Sequence, residues 1–379
     1  DGWEMTFAPD EVQTLLRNSM SQYLRDHYDF ERRRAILDDG GFSRAVWSDF
    51  ASGLAILGAA VPGAGGSVAN AMIVMEELGR ALVLEPYLET AVIGVGLLHR
   101  QDAPVAGELL AGILDGRVRT AFAAHDAGAR YALEDLATTA RQSGSGWIID
   151  GRKSVVIGAP TATHLLLTAR THGGQRDRDG VSLFAIDRNA SGVTCHDYRL
   201  IDGRGASDIV LENAHVPPDA LLGTAGAALP VVEAVMDEAI AALCAEALGV
   251  MRRMLDDTVA YTRLRRQFGQ ALADFQSLQH RMVEMFMELE QSAAAVQILV
   301  ASLDADADAT KRTRDASAAK ATIAKAARFI GQNAVQLHGG MGMTDELPLG
   351  HYFRRATVIE NQFGSRDHHI ARYARLGRV

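Results

Sequence analysis

At 379 residues, 48% of them apolar and 22% charged, the chain has the balance of an ordinary soluble globular protein, with material for two or three domains. A net charge of −9 weighs against nucleic-acid binding, and the runs ERRR (31–34) and RLRR (263–266) read as solvated helix faces. Two cysteines, Cys195 and Cys244, lie far apart without metal spacing, which argues against a disulfide framework and points to a reducing cytoplasm.

No run of about 18 apolar residues is present, and the N-terminus lacks a basic-then-apolar leader. Residues ahead of Met5 read as a remnant before a native start, MTFAPDEVQTLL. From about residue 10 to 120 the period is helical. Pro9-Asp10 is a start signal, with Val12, Leu15, Leu16 and Tyr23 near one face. AMIVMEELGRAL (71–82) and VAGELLAGILDG (105–116) follow, separated by turns. GAGG at 63–66 lacks the Gly-Lys-Ser/Thr of a phosphate loop and reads as a turn.

From about 120 to 225 the helical period stops. GWIIDGRKSVVI (146–157), HLLLTAR (164–170), GVSLFAID (180–187) and SDIVLENAHV (207–216) are short strands set off by Asp-Gly, Gly-Gly and Pro-Pro. They predict a small barrel or sandwich. Beyond 226 three long amphipathic stretches and a C-terminal one predict a four-helix bundle, with Met282, Met285 and Met287 as core filler. The expected architecture is α+β and multidomain: a helical domain at 5–120, a β-barrel or sandwich at 121–225 and a helical bundle at 226–379.

Three segments carry a family resemblance. YTRLRRQFGQALADFQSLQHRMVEM (261–285) resembles the acyl-CoA dehydrogenase signature, a Tyr, then Arg-x-x-Phe-Gly, then Phe-Gln opening a helix. QLHGGMGMTDELPLGHYFRRA (336–356) resembles the family's Gln-x-x-Gly-Gly-x-Gly segment and the arginine-bearing helix after it. VPGAGGSVANAMIVMEELGRAL (61–82) resembles its N-terminal helical hairpin. The resemblance implies FAD, oligomers built on dimers, and α,β-dehydrogenation of an acyl-CoA thioester, with electron-transfer flavoprotein as the usual acceptor. In that chemistry a carboxylate takes the α-proton, the β-hydride moves to flavin N5, and the thioester carbonyl must be polarised.

The resemblance also assigns residues. Arg265, Gln267, Phe268, Gln276, Gln336, Gly339 and Gly340 match the positions that hold the nucleotide end of FAD across a dimer. A guanidinium suits a pyrophosphate as a fork donor, an aromatic ring packs on a flat cofactor, and glycines permit close backbone approach. Taken singly, Gly339-Gly340 reads as a helix cap and Arg265 as a surface charge. Their joint spacing favours the cofactor. A dinucleotide-fold reading fails because these glycines follow a helix, not a strand.

The ring end reads as vacated. AAHDAGARYA (123–132) keeps only Ala127-Gly128 of the family's Thr-Glu-x-x-x-Gly-Ser-Asp-like stretch, with Ala123 at the hydroxyl position. Val155-Val156-Ile157 stand where the family has Trp-Ile-Thr. On the third domain's first helix Asp237 is kept, but Ile240 replaces a CoA-facing Arg. Ala239 occupies the slot where some members carry the base; Glu238 and Glu246 are expected in surface or polar-core roles. In TVIENQFGSRDHHI (357–370) the base of fatty-acyl members falls on Phe363, and Glu360 reads as a helix-surface carboxylate. Asp367, His368 and His369 read as a surface helix rather than a metal site, and His125 as a turn residue. No catalytic residue is therefore assigned.

The expected function is a subunit of an FAD-dependent acyl-CoA dehydrogenase that leaves the base to a homologous partner. This is similar to the small subunits of pimeloyl-CoA-type and steroid side-chain enzymes. A homo-oligomer with a relocated carboxylate, Glu238 or Glu246, and a non-catalytic scaffold are the alternatives.

Overall fold

The computed structural model describes residues 10–61, 66–305 and 307–377. The start at Met5 and the first three residues of GAGG therefore lie outside the described residues.

The helices are α1 (Glu11–His27), α2 (Phe30–Asp38), α3 (Arg44–Ser48), α4 (Val68–Ala81), α5 (Val95–His99), α6 (Pro104–Leu114), α7 (Leu229–Leu264), α8 (Gln276–Asp304), α9 (Ala309–His338), α10 (Pro348–Asn361) and α11 (Arg366–Leu376). The strands are β1 (Thr120–Ala123), β2 (Thr139–Ser143), β3 (Gly146–Ile157), β4 (His164–Arg170), β5 (Val181–Asp187), β6 (Val193–Arg199), β7 (Gly205–Val216), β8 (Leu221–Leu222), β9 (Arg266–Gln267) and β10 (Gln270–Ala271). Among the described residues no helix is long and apolar enough to cross a membrane. They form two compact units, the described residues of 10–35, 68–83 and 240–377 in one, and those of 36–67 with 84–239 in the other.

The first unit is helical. α1 opens on a capping box, in which Asp10 accepts from the Gln13 N–H at 2.7 Å and Gln13 returns a bond to the Asp10 N–H at 3.1 Å. Its buried side chains are Met20 and Leu24; of the face predicted at its start, Val12 and Leu15 are exposed, whereas Leu16 and Tyr23 are half-buried. Arg33 of the ERRR run is likewise not solvated. It is buried, with Nε donating to the Leu82 carbonyl at 2.9 Å and a terminal nitrogen donating to His351 Nδ1 at 3.1 Å.

α8, α10 and α11 pack on α9, whose alanines (Ala316, Ala319, Ala326, Ala327, Ala334) allow close approach. α8 buries one stripe, Met285, Leu289, Ser292, Val296, Leu299 and Ser302, at three- and four-residue spacing. Met282 is only half-buried and Met287 is exposed, so Met285 alone of the three methionines fills the core. α4 and α7 cross backbone to backbone. A Cβ at Gly79 would collide with the Glu246 carbonyl, and one at Gly249 with the Glu76 carbonyl.

The second unit is built on an eight-stranded sheet of order β6-β7-β3-β2-β4-β5-β8, with β1 pairing parallel to β4. Side chains from all eight strands meet in one apolar cluster that includes Ala121, Ala140, Ile149, Leu165, Phe184 and Ile209. A sheet whose every strand feeds one cluster is curled around it, as expected of a small barrel. β3 carries two register shifts against β7, one of them between Lys153 and Val156. Beside it the Lys153 ammonium is fully buried and bonds Asp126 at 2.6 Å, while Asp126 accepts from the Thr138 N–H and hydroxyl at 2.6 and 2.8 Å. Burial pushes Lys153 down to about 8.

Candidate functional site

The seven residues matched to the nucleotide end of FAD all lie in the helical unit, at three helix ends. Arg265 follows the last turn of α7, and its N–H donates to the Tyr261 carbonyl at 2.8 Å. Gln267 and Phe268 sit in the β9–β10 hairpin that α7 runs into, with Gln267 paired to Gln270. Gln276 opens α8, Gln336 lies in the last turn of α9, and Gly339-Gly340 end that helix.

All seven are exposed. Phe268 is 90% exposed and sits at φ +53, a left-handed conformation that aromatic residues rarely adopt. A Cβ added at Gly269, Gly339 or Gly340 would meet nothing within 4 Å, so the backbone there is bare and open. Among the described residues the Arg265 guanidinium has no carboxylate partner. An exposed fork donor, an exposed ring and open glycine backbone fit the pyrophosphate and nucleotide of FAD.

The three ends are held together from behind. The Tyr261 and His338 rings stack at 4.2 Å with an interplanar angle of 23°, joining α7 to α9. The Thr262 hydroxyl donates to Met282 Sδ at 3.4 Å, joining α7 to α8. Phe268 meets Phe275 edge to face at 6.3 Å.

The positions matched to the flavin ring lie in the other unit and carry aliphatic side chains. Ala123 is fully buried in β1 and Val156 is in the core. Val155 is exposed at φ +55, an outlier for a β-branched residue, and its N–H donates to Asp208 Oδ1 at 2.9 Å. No side chain at 123 or 155–157 offers a hydrogen bond to a ring. His125 lies outside any helix or strand; its Nδ1 is buried without a partner, and burial pushes the ring down to about 4.

The acidic candidates are engaged. Glu246 is fully buried on α7, and both its oxygens accept from Arg355 of α10, at 2.7 and 2.6 Å. Glu238, in the other unit, pairs with Arg100. Asp237 is fully buried. Glu360 was expected on the helix surface but is buried, and it pairs with Arg328 of α9. The neighbouring helix covers it, which α10 periodicity by itself does not reveal.

The turn 362–365 holds Phe363 in the slot of the family base, at φ +60 and half-buried. Buried polar groups grip this turn. Lys320 of α9 donates to the Glu360 and Gly364 carbonyls at 3.1 and 2.9 Å, and Arg355 to the Gln362 side-chain oxygen at 3.2 Å. His369 Nε2 donates to the Phe363 carbonyl at 3.1 Å. His369 is fully buried, correcting the surface-helix expectation, and burial together with the Lys320 charge lowers it to about 3. Burial likewise pushes Lys320 down to about 8. Lys320 belongs to no recognised motif, and its run AAKATIAKAA also holds the exposed Lys325, so the sequence there does not mark which lysine is buried. Among the described residues no cluster of His, Cys, Asp and Glu is placed to hold a metal.

Residues 229–376 match the acyl-CoA dehydrogenase C-terminal domain, and residues 121–214 its middle domain. The Caffeyl-CoA reductase-Etf complex subunit CarC of Acetobacterium woodii is 29% identical over 90% of this chain and 93% of its own length. The solved Tcur3481-Tcur3483 steroid ACAD is 26% identical, covers 97% of this chain and 98% of its own, and superposes with a TM-score of 0.86. Butyryl-CoA dehydrogenase from Megasphaera elsdenii, 20% identical, shares the fold over 99% of this chain and all (100%) of its own, with a TM-score of 0.90. The chain belongs to the acyl-CoA dehydrogenase family.

Proposed function

We propose that this protein is one subunit of an FAD-dependent acyl-CoA dehydrogenase, presenting the nucleotide-end contacts for FAD while a homologous partner supplies the base. The observation that carries the reading is the contrast between the open, exposed set at 265–268 and 336–340 and the turn that offers Phe363 where a carboxylate is needed. When bound, FAD supplies the hydride acceptor for α,β-dehydrogenation of an acyl-CoA thioester.

Arg265 would meet the pyrophosphate as a two-pronged donor, Phe268 would cover the flat nucleotide, and Gly339-Gly340 would let the cofactor approach the backbone. The aliphatic residues 155–157 give the ring no donor from this chain, which supports a ring pocket built largely by the partner. The division at 5–120, 121–225 and 226–379 and a cytoplasmic location belong to the same reading. Electron-transfer flavoprotein is the proposed acceptor, supported by the Etf complex in which the relative CarC is named.

Expressed alone, the chain should hold little FAD and show negligible dehydrogenase activity. Co-expressed with a glutamate-bearing homologue, the complex should bind FAD and turn over acyl-CoA. Stoichiometric flavin and turnover from the single chain would overturn the reading in favour of a relocated base. Glu246, with both oxygens on Arg355, is poorly placed for that role. Glu238→Gln then becomes the decisive variant, read by electron transfer to an artificial acceptor.

A further inference from the structure

We infer that Tyr261 and His338 are positioning residues that set the register of the two exposed cofactor arms. The inference rests on the cofactor reading above and goes beyond its seven residues.

Those seven side chains do not hold one another in place. Among the described residues none of Arg265, Gln267, Gln276 and Gln336 makes a side-chain hydrogen bond to another arm, and Gly339 and Gly340 have no side chain to offer. A group that bridges helix ends from outside needs their spacing fixed in advance, because ordering loose arms on binding weakens affinity.

The fixing lies one layer inward. Tyr261 sits one helical turn before Arg265 and accepts its N–H, so ring and guanidinium share one face of the end of α7. His338 directly precedes Gly339 and lies two residues beyond Gln336. The two rings stack at 4.2 Å, and the Tyr261 hydroxyl reaches the His338 carbonyl at 3.4 Å.

His338 is itself held. Its Nδ1 donates to the Ala334 carbonyl at 2.9 Å, which sets the plane of the ring. Gly342 packs beneath it, where an added Cβ would stand 3.1 Å from His338 Cβ and 3.0 Å from the Val335 carbonyl. The chain beyond the glycine pair thus folds back against the last turn of α9, at Val335 and the base of the His338 side chain, and leaves Gly339-Gly340 exposed. Burial lowers the His338 pKa and so favours the neutral ring.

The test is titration of FAD into the purified full-length chain, alone and with its co-expressed partner, followed by quenching of flavin fluorescence. Tyr261→Phe keeps the stacked ring and should stay within about twofold of the parent affinity, while His338→Phe keeps an aromatic ring without its Ala334 bond and should fall between Tyr261→Phe and the leucine variants. Tyr261→Leu and His338→Leu keep bulk but lose the stack, and should weaken FAD by about three- to tenfold, the worth of one aromatic pair. Gly342→Ala, which presses on His338 without touching an exposed arm, should do the same. Thermal midpoints are measured alongside, so that rescue by phenylalanine at equal stability separates positioning from general damage.

Arg265→Ala tells the two levels apart. If it weakens FAD and the leucine variants do not, the stack has no positioning role and the cofactor reading stands. If Arg265→Ala leaves the affinity unchanged, or the parent chain binds no FAD even with its partner, both fall.

Discussion

Two turns in the helical unit share a local signature, an aromatic residue at positive φ followed by glycine: Phe268-Gly269 and Phe363-Gly364. Their surroundings are opposite. Phe268 is 90% exposed, and the space a Gly269 Cβ would enter is empty. Phe363 sits in a turn whose carbonyls are captured by the buried Lys320 and His369, and a Cβ at Gly364 would strike the His369 ring. Strained backbone persists only where the surroundings over-determine it or where it serves a ligand. The Phe363 turn is held from within, for the shape of the fold. The Phe268 turn is held by its hairpin and one edge-to-face contact with Phe275, which leaves the ring open to a contact supplied from outside the chain.

Breaking the inner clamp should have the largest effect. Arg355→Met would strand the buried Glu246 carboxylate and release Gln362, lowering stability by about 3–5 kcal/mol in urea unfolding. Loss of less than about 1 kcal/mol would mean that solvent already reaches the pair. Lys320→Met should come next, at about 2–3 kcal/mol, because two turn carbonyls lose their donor. Thermal midpoints, compared with a surface control such as Lys325→Met, check it.

A smaller effect appears only with pH. The folded-state value of His369 is lowered to about 3 from 6.5, so the unfolded chain binds more protons between those limits. Stability from this group is therefore full above about 6.5 and drains as pH falls toward 3. His351 and His125, each lowered to about 4, act in the same direction. His369→Gln should flatten the acid limb of the midpoint-against-pH curve without abolishing it; an unchanged limb would remove His369 from the account.

The smallest effect sharpens the contrast most. Phe268→Gly relieves a left-handed aromatic that buries almost nothing, so the thermal midpoint should hold or rise by the equivalent of about 1 kcal/mol while FAD affinity falls. Phe363→Gly should instead lower it, since that ring is half-buried. A drop for Phe268→Gly as large as for Phe363→Gly would erase the distinction.

The order helical, β, helical and the strands β3, β4, β5 and β7 were readable from the chain, because periods of 3.6 and 2 are local properties of neighbouring residues. The seven residues proposed for FAD were likewise picked out by spacing within two short motifs, and the structure leaves all of them exposed at three helix ends. Strands β1, β2, β6 and β8 were not. They are short or polar, as in TARQS and VTCHDYR, and exist through pairing with distant strands. Only the tertiary structure buried Arg33, Glu360 and His369, which periodicity had left in solvent. It also stacked Tyr261 on His338, 77 residues away. A side chain's burial depends on the element that lands on it, and a buried charge is tolerated only where a remote chain segment brings its partner.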